Sequence, residues 1–229
     1  MKFLKNIFAF LLIPAVGIAG YTLIKSFLYF TVSAGNRYIP FWIGILCYIV
    51  FQVILYKPMK TYVFGHELSH AIAGILSGAK IKKFNVGKES GSIVLTKDNI
   101  WITLAPYFFP IYTFAVIIIY IFLGWFINIK QFYGYFLFLT GFSIAFHVAL
   151  TIYILSVEQS DLKIYGTFFS YVIIFIVNIA VFILLAALVF PDDIGVKDIF
   201  LRIFGSIADI YKFIYAGVLE IWSAFRETR

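Results

Sequence analysis

Charged residues are scarce in this chain of 229 residues, of which only 13% are Asp, Glu, Lys or Arg. Hydrophobic residues make up 63% of it, and the mean hydropathy is +1.00. A soluble domain carries more charge than this on its surface, so the composition excludes that class. We expect an integral, multi-pass membrane protein of the plasma membrane of a prokaryote, with apolar helices facing lipid.

Cysteine is rarer still, and acidic residues are few. Cys47 is the single cysteine of the sequence, so an intrachain disulfide is excluded. The 18 Lys and Arg residues outnumber the 11 Asp and Glu residues, which gives a formal net charge of +7. Because the basic residues are scattered among apolar runs, they predict contact with the headgroups of a lipid bilayer and exclude nucleic acid as the main partner.

Long apolar runs are what the sequence has in abundance. Crossing a bilayer takes about 20 helical residues. Six runs approach or exceed that length: residues 7–32, 40–56, 61–77, 103–126, 133–157 and 167–190. The opening run has the features of a secretory signal as an alternative, but it continues past the small residues where cleavage would occur. We predict an all-α polytopic membrane protein with about six transmembrane helices.

Two segments do not have the pattern of spans. Residues 80–98 alternate in polarity and contain five lysines and a glycine-bounded turn, which predicts a small β-hairpin at the membrane surface. In residues 191–229, apolar residues recur every three or four positions, as expected of a C-terminal amphipathic helix. We predict that it lies in the membrane interface, with packing on the protein's own surface as the alternative. Residues 1–190 would then form one transmembrane domain.

The stretch VFGHELSHAIAG, Val63–Gly74, places ionisable groups inside an apolar run. His66 and His70 are four residues apart, so on a helix both rings project from one face and can bind a single metal ion. Glu67 lies beside them, where a carboxylate can take a proton from water activated by Zn²⁺. Ionisable groups in hydrocarbon are costly and mark function by default, and a polar pair in the core is the less specific alternative.

This motif, the GAK that follows it, the lysine-rich hairpin and LAPYFFP together resemble the site-2 protease class of intramembrane metalloproteases, the M50 peptidase group, and in particular its short members. The resemblance implies that His66 and His70 bind Zn²⁺ and that Glu67 is the catalytic base. It also implies a third ligand, an aspartate on a later transmembrane segment. Substrates would be membrane-embedded or membrane-anchored helices, and an edge strand near the active site would pair with the unwound substrate.

The third ligand is less clearly marked. In the family the aspartate lies in an L-D-G motif preceded by Asn and Pro. Asp161, in SVEQSDLKIYG, is the best match, but it lacks that glycine and those preceding residues. His147 is the alternative, and an unbroken helix would separate the two by about 21 Å, too far for one ion. We predict Asp161, because a carboxylate completes a common catalytic zinc set.

The number of membrane crossings restricts where Asp161 can lie relative to His66. If the third, fourth and fifth runs each cross once, Asp161 lies on the side opposite to His66. The two residues meet only if the fifth run breaks near Ser156 or if the fourth run bends at Pro106 and Pro110.

The predicted function is zinc-dependent hydrolysis of peptide bonds in membrane-embedded or membrane-anchored substrates. A catalytically silent metal-binding scaffold that sequesters a client helix is one alternative, favoured by the missing L-D-G. A transporter or channel with an ion path through His and Glu is another. Such a path needs polar residues on several spans, and beyond Asn178 and His147 the sequence has few.

Overall fold

The computed structural model describes residues 2–55, 58–88, 90–157, 159–191 and 195–227. These residues form nine α-helices and two antiparallel strands. In chain order the elements are α1 Lys2–Ser33, α2 Ile39–Leu55, α3 Met59–Leu76, β1 Ile81–Val86, β2 Gly91–Leu95, α4 Ile100–Leu104, α5 Ile111–Leu123, α6 Tyr133–Leu155, α7 Ser160–Tyr165, α8 Thr167–Val189 and α9 Val196–Glu227. The predicted small β-hairpin within a helical fold is confirmed.

Among the residues that the structure describes, four helical segments are long and apolar enough to cross a membrane: Phe3–Ser33, Gly35–Ile54, Ile129–Leu155 and Thr167–Val189. A fifth results if Ile100–Tyr107 and Ile111–Leu123, which are bent by 82° relative to each other, count as one span. This fits an integral membrane protein. The count of six spans is not confirmed. The helix α3, which carries the histidine motif, is not among these segments.

The chain separates into two units, with the boundary inside α8. In the unit formed by residues 1–33 and 175–229, α9 packs on α1, and Thr22 Oγ1 donates to Ser206 Oγ over 3.1 Å. Ile199 and Ile203 of α9 are buried, whereas most of its later apolar residues are exposed. The helix predicted for residues 191–229 is therefore present over Val196–Glu227, and its place in the membrane interface stays a prediction.

In the unit formed by residues 34–174, α2 and α6 contact each other through their backbones. A β-carbon added at Gly44 would lie 2.1 Å from the carbonyl oxygen of Phe138, and one added at Gly141 would lie 2.1 Å from that of Phe41. Each helix thus presents a glycine to a carbonyl of the other. Small residues permit such close approach between apolar helices, which gain stability from packing rather than from leaving water.

The hairpin follows α3 directly and packs along it. Gly78, with φ of +72°, reverses the chain after α3 in the left-handed region that glycine adopts without strain. Gly74 leaves space for Leu95, since a β-carbon there would lie 2.8 Å from the leucine side chain. The two strands pair with Phe84 opposite Ile93, and Phe84 also contacts Phe64 of α3.

The fourth apolar run is bent as its prolines allowed. Asn99 caps α4, accepting a hydrogen bond of 2.9 Å from the Ile102 amide. A short 3₁₀ turn at Ala105–Tyr107 follows, and α5 begins in a new direction after Pro110. The side chain of Tyr107 is fully buried at this bend.

We predict that Gly141→Ala destabilises the protein by about 1–3 kcal/mol, because the added methyl must push apart two backbones that have no flexible group to move. Thermal unfolding in detergent, followed by circular dichroism, measures this. Gly134→Ala on the same helix is the matched control, since the nearest atom to its β-carbon would be 3.9 Å away. Equal midpoints for the two variants would contradict the predicted close packing.

Candidate metal centre

The helix α3 places both motif histidines on one face, as their spacing predicts. The ring centroids of His66 and His70 lie 4.9 Å apart. His70 and Glu67 are buried, with 8% and 7% of their surface exposed. The site therefore lies inside the protein, with only small parts of these groups open to solvent.

Asp161 meets the two histidines from α7. Its Oδ2 atom lies 3.5 Å from Nε2 of His66 and 3.5 Å from Nε2 of His70. The three side chains offer ligand atoms within 4.8 Å of one another, close enough to hold one metal ion. A tetrahedral ion with ligand bonds of about 2.0–2.2 Å separates its ligand atoms by about 3.3–3.6 Å, so the two distances from Asp161 to the histidines suit such an ion.

The break expected in the fifth apolar run explains how Asp161 reaches the site. The helix α6 ends at Leu155, and Ser156 closes it with a backbone bond to Ile152. The chain then forms the separate helix α7, whose Leu162 is buried in a core with Leu104 and Tyr107. Because the run does not continue as one straight helix and the fourth run bends as well, Asp161 is not carried away from His66.

His147 takes no part in this cluster. It lies within α6 with 9% of its surface exposed, and its Nε2 atom has no hydrogen-bond partner among the described residues. In the part of the chain that the structure describes, His66, His70 and Asp161 form the one group of three such side chains placed to hold a metal.

Each of the three candidate ligands is held by a further polar group. The Ile102 carbonyl lies 2.7 Å from His70 Nδ1, the Tyr62 hydroxyl lies 3.3 Å from His66 Nδ1, and Tyr107 donates to Asp161 Oδ2 over 3.2 Å. Partners of this kind fix the orientation of metal ligands and the tautomer of ligating histidines.

The bond to Ile102 has a chemical consequence for His70. A carbonyl oxygen only accepts, so the proton of the neutral imidazole is on Nδ1, and Nε2 directs a lone pair at the Asp161 carboxylate. Burial would raise the pKa of Asp161, but its contacts with the two imidazoles lower it below the ordinary value, so the group is negatively charged at neutral pH. Two acceptors facing each other repel unless a cation, a metal ion or a proton, lies between them.

Glu67 stands next to these ligands in the chain and faces the hairpin. A β-carbon at Gly91 would lie 2.6 Å from Glu67 Cγ and 2.7 Å from its Oε1 atom. Glycine is therefore the residue at position 91 that lets Glu67 keep its present position. The backbone of β2 thus passes directly beside the Glu67 carboxylate.

A cavity of about 530 Å³ contains this chemistry. His66, His70 and Asp161 line it together with Glu67, and its opposite wall includes Gly91, Ile93 and Leu95 of β2. We refer to this cavity as the groove. It is large enough for several residues of an extended peptide.

The edge of β2 that faces away from β1 is unpaired. The Gly87 amide donates to the Ser90 carbonyl, and hydrogen-bonded pairs recur at every second residue of an antiparallel ladder. Ser92 and Val94 therefore direct their backbone groups to β1, whereas Gly91, Ile93 and Leu95 direct theirs to the other edge. The sheet has two strands in the described residues, so that edge has no strand partner.

Sequence reasoning did not identify the supporting groups. Tyr62 lies one helical turn before His66 and could have been found by spacing alone. Tyr107 is part of LAPYFFP, but nothing in that string indicates contact with Asp161. The Ile102 carbonyl and the closeness of Gly91 to Glu67 depend on tertiary packing and leave no sequence signal.

Comparison of the chain with models of protein families, with characterised proteins and with solved structures found no match.

We predict that purified wild-type protein supplied with a divalent transition metal retains about one ion per chain, and that Asp161→Ala and His70→Ala lose it because two ligands are too few for tight binding. Elemental analysis after dialysis measures the content.

His147→Ala is the matched control, since it removes an equally buried imidazole that lies outside the cluster. Loss of metal in His147→Ala together with retention in Asp161→Ala would overturn the assignment of the third ligand.

Proposed function

We propose that this protein is a zinc-dependent endopeptidase that cleaves membrane-embedded or membrane-anchored substrates. The observation that carries the proposal is the position of Glu67, a buried carboxylate that adjoins a three-residue metal-binding cluster and faces a groove with a free strand edge. A metal cluster alone would suit a scaffold. A proton acceptor beside it and a surface for an extended chain are what hydrolysis of a peptide requires in addition.

Zinc is the metal that we propose for the site. Two imidazoles and one carboxylate form a common catalytic zinc set that leaves one coordination position open. His66, His70 and Asp161 would hold the ion, and Tyr62, Tyr107 and the Ile102 carbonyl would keep them in place. When bound, Zn²⁺ polarises the scissile carbonyl and lowers the pKa of a water molecule.

Glu67 would serve as the general base and then as the general acid. It would take a proton from the attacking water as the new C–O bond forms, and deliver that proton to the amine nitrogen as the C–N bond breaks. Its burial favours such proton transfer, because a carboxyl in a poorly solvated site binds a proton more readily than one in water. The resemblance of the motif and its surroundings to the site-2 protease class points to the same role.

The free edge of β2 would present the substrate to Glu67. A transmembrane helix satisfies its backbone groups internally, so its scissile bond is accessible only after local unwinding. The unpaired backbone groups of Gly91, Ile93 and Leu95 would replace the lost hydrogen bonds, as strand addition does in peptide recognition. Gly91 lies beside Glu67, so a chain paired there would pass the base.

We predict that Glu67→Gln abolishes cleavage, by at least about a hundredfold, while metal content is retained, because the amide cannot accept the proton. The assay uses a panel of single-span model peptides in proteoliposomes, with new termini identified by mass spectrometry.

Cleavage by Glu67→Gln at the wild-type rate would overturn the proposed role of Glu67. Metal-loaded wild type that binds the peptides without cleaving any of them would favour the scaffold instead.

We also predict that Ile93→Pro lowers kcat/KM by about tenfold, because it removes an amide donor on the free edge while the bonds from β2 to β1 remain. Ile93→Ala is the control for loss of the side chain and keeps the amide. The same peptide assay gives both values. Equal kcat/KM for the two variants would show that the free edge does not bind substrate.

A further inference from the structure

The two ends of the groove differ in chemistry. Along the groove, β2 runs in the same direction as α3, since Gly91 lies against Val63 and Glu67 while Leu95 lies against Gly74. At the start of α3 the lining is mostly apolar, with Met59, Tyr62, Val63 and Ile154. At the other end the groove is lined by Lys97 and Asp98. An extended chain bound along β2 would thus reach a charged region.

Of these two charged residues, only the lysine has no hydrogen-bond or ion-pair partner among the described residues. Thr103 donates to Asp98 Oδ1 over 2.8 Å, which ties the carboxylate to the first turn of α4. Lys97 makes no hydrogen bond or ion pair with any residue in the described ranges, and its Nζ atom lies 3.5 Å from the place of a β-carbon on Gly78. Gly78 follows the carboxyl end of α3, which attracts a cation and favours this location for the ammonium group.

The surroundings of Lys97 carry a positive charge. Residues 80–98 contain five lysines against Glu89 and Asp98, a formal net charge of +3 from 5 − 2. Among the described residues no ion pair neutralises any of these lysines. Lys97 is the one of the five that lines the groove. It can therefore contact what the groove binds, whereas the others contribute to the potential around it.

We propose that Lys97 forms a carboxylate-binding subsite, which selects substrates bearing an aspartate or glutamate in the extended segment beside the scissile bond. This rests on the proposed function. A chain paired with β2 would run from Gly91, where the base lies, to Leu95, and Lys97 follows two residues after the end of that strand. The preferred acidic residue would accordingly lie just beyond the segment paired with β2, which spans about 13 Å, and so about four to eight residues from the bond that is cleaved.

The position of Lys97 favours a peptide carboxylate over an anionic lipid headgroup. Lys97 lines the same cavity as His70 and Glu67, along which a bound peptide would pass. Lys88, at the turn of the hairpin, is outside the groove and is the matched control lysine.

The test uses single-span model peptides of one sequence that carry Glu, Ala or Lys at positions four to eight residues from the cleaved bond, on either side. Affinity is measured by fluorescence with Glu67→Gln protein in liposomes of neutral lipid, and kcat/KM is measured with the protein whose Glu67 is intact. Each measurement is also made with the same protein carrying in addition Lys97→Ala, Lys97→Glu or Lys88→Ala, and the values are compared. Both measurements are repeated with anionic lipid.

We expect glutamate peptides to bind and react about three- to fivefold better than alanine peptides, the size of a partly solvated ion pair. Lys97→Ala should abolish the preference, Lys97→Glu should shift it to lysine peptides, and Lys88→Ala should keep it.

Equal cleavage of the glutamate, alanine and lysine peptides would overturn the proposed subsite without contradicting the protease function. Preferential binding of acidic peptides without cleavage would support the subsite and refute the protease function. An effect of Lys97→Ala that appears only in anionic lipid, and equally for all peptides, would identify a lipid contact and overturn the proposal.

Discussion

Three largely enclosed polar side chains that converge on one point are the constraint on which the rest of this structure depends. Nε2 of His66, Nε2 of His70 and a carboxylate oxygen of Asp161 face each other at distances that suit ligands of one ion. Without a cation, the lone pair that neutral His70 directs at the Asp161 carboxylate, together with the desolvation of that carboxylate, would destabilise the fold. With one, the same arrangement links α3 to α7. An ion bound here would therefore couple metal binding thermodynamically to the folding of this unit.

Breaks in the helices bring together site residues that straight helices would keep apart. Asp161 reaches α3 because α6 stops at Leu155 and a short helix replaces its continuation. The bend between α4 and α5 buries Tyr107, which donates to Asp161, and the first turn of α4 brings the Ile102 carbonyl to His70. Breaks in apolar helices are tolerated where the freed backbone is buried in protein or lines a cavity. Here the breaks surround the groove, so the departures from regular structure coincide with the candidate site.

The sequence predicted much of the fold and the residues that meet in the candidate site, but not the groups that support them, and the division has a physical reason. Apolar runs and alternation are local properties, so the long helices and the hairpin followed from them. The run at residues 61–77 shows the limit of length as a criterion, because its ionisable residues reduce its hydropathy and it is not among the apolar spans. The spacing of His66 and His70 fixed their common face. The nearness of Asp161 depended on where α6 ends, and that was decided by tertiary packing around Leu162.

The unpaired edge of β2 has a consequence for the behaviour of the chain at high concentration. Exposed backbone donors and acceptors on a strand are a template for other strands, including the same hairpin of a second molecule, and such pairing leads to aggregation. Two features oppose it. The strand has only five residues, which limits the number of bonds that a second chain could gain. The lysines of residues 80–98 give two approaching hairpins the same sign of charge, so repulsion protects the unpaired edge.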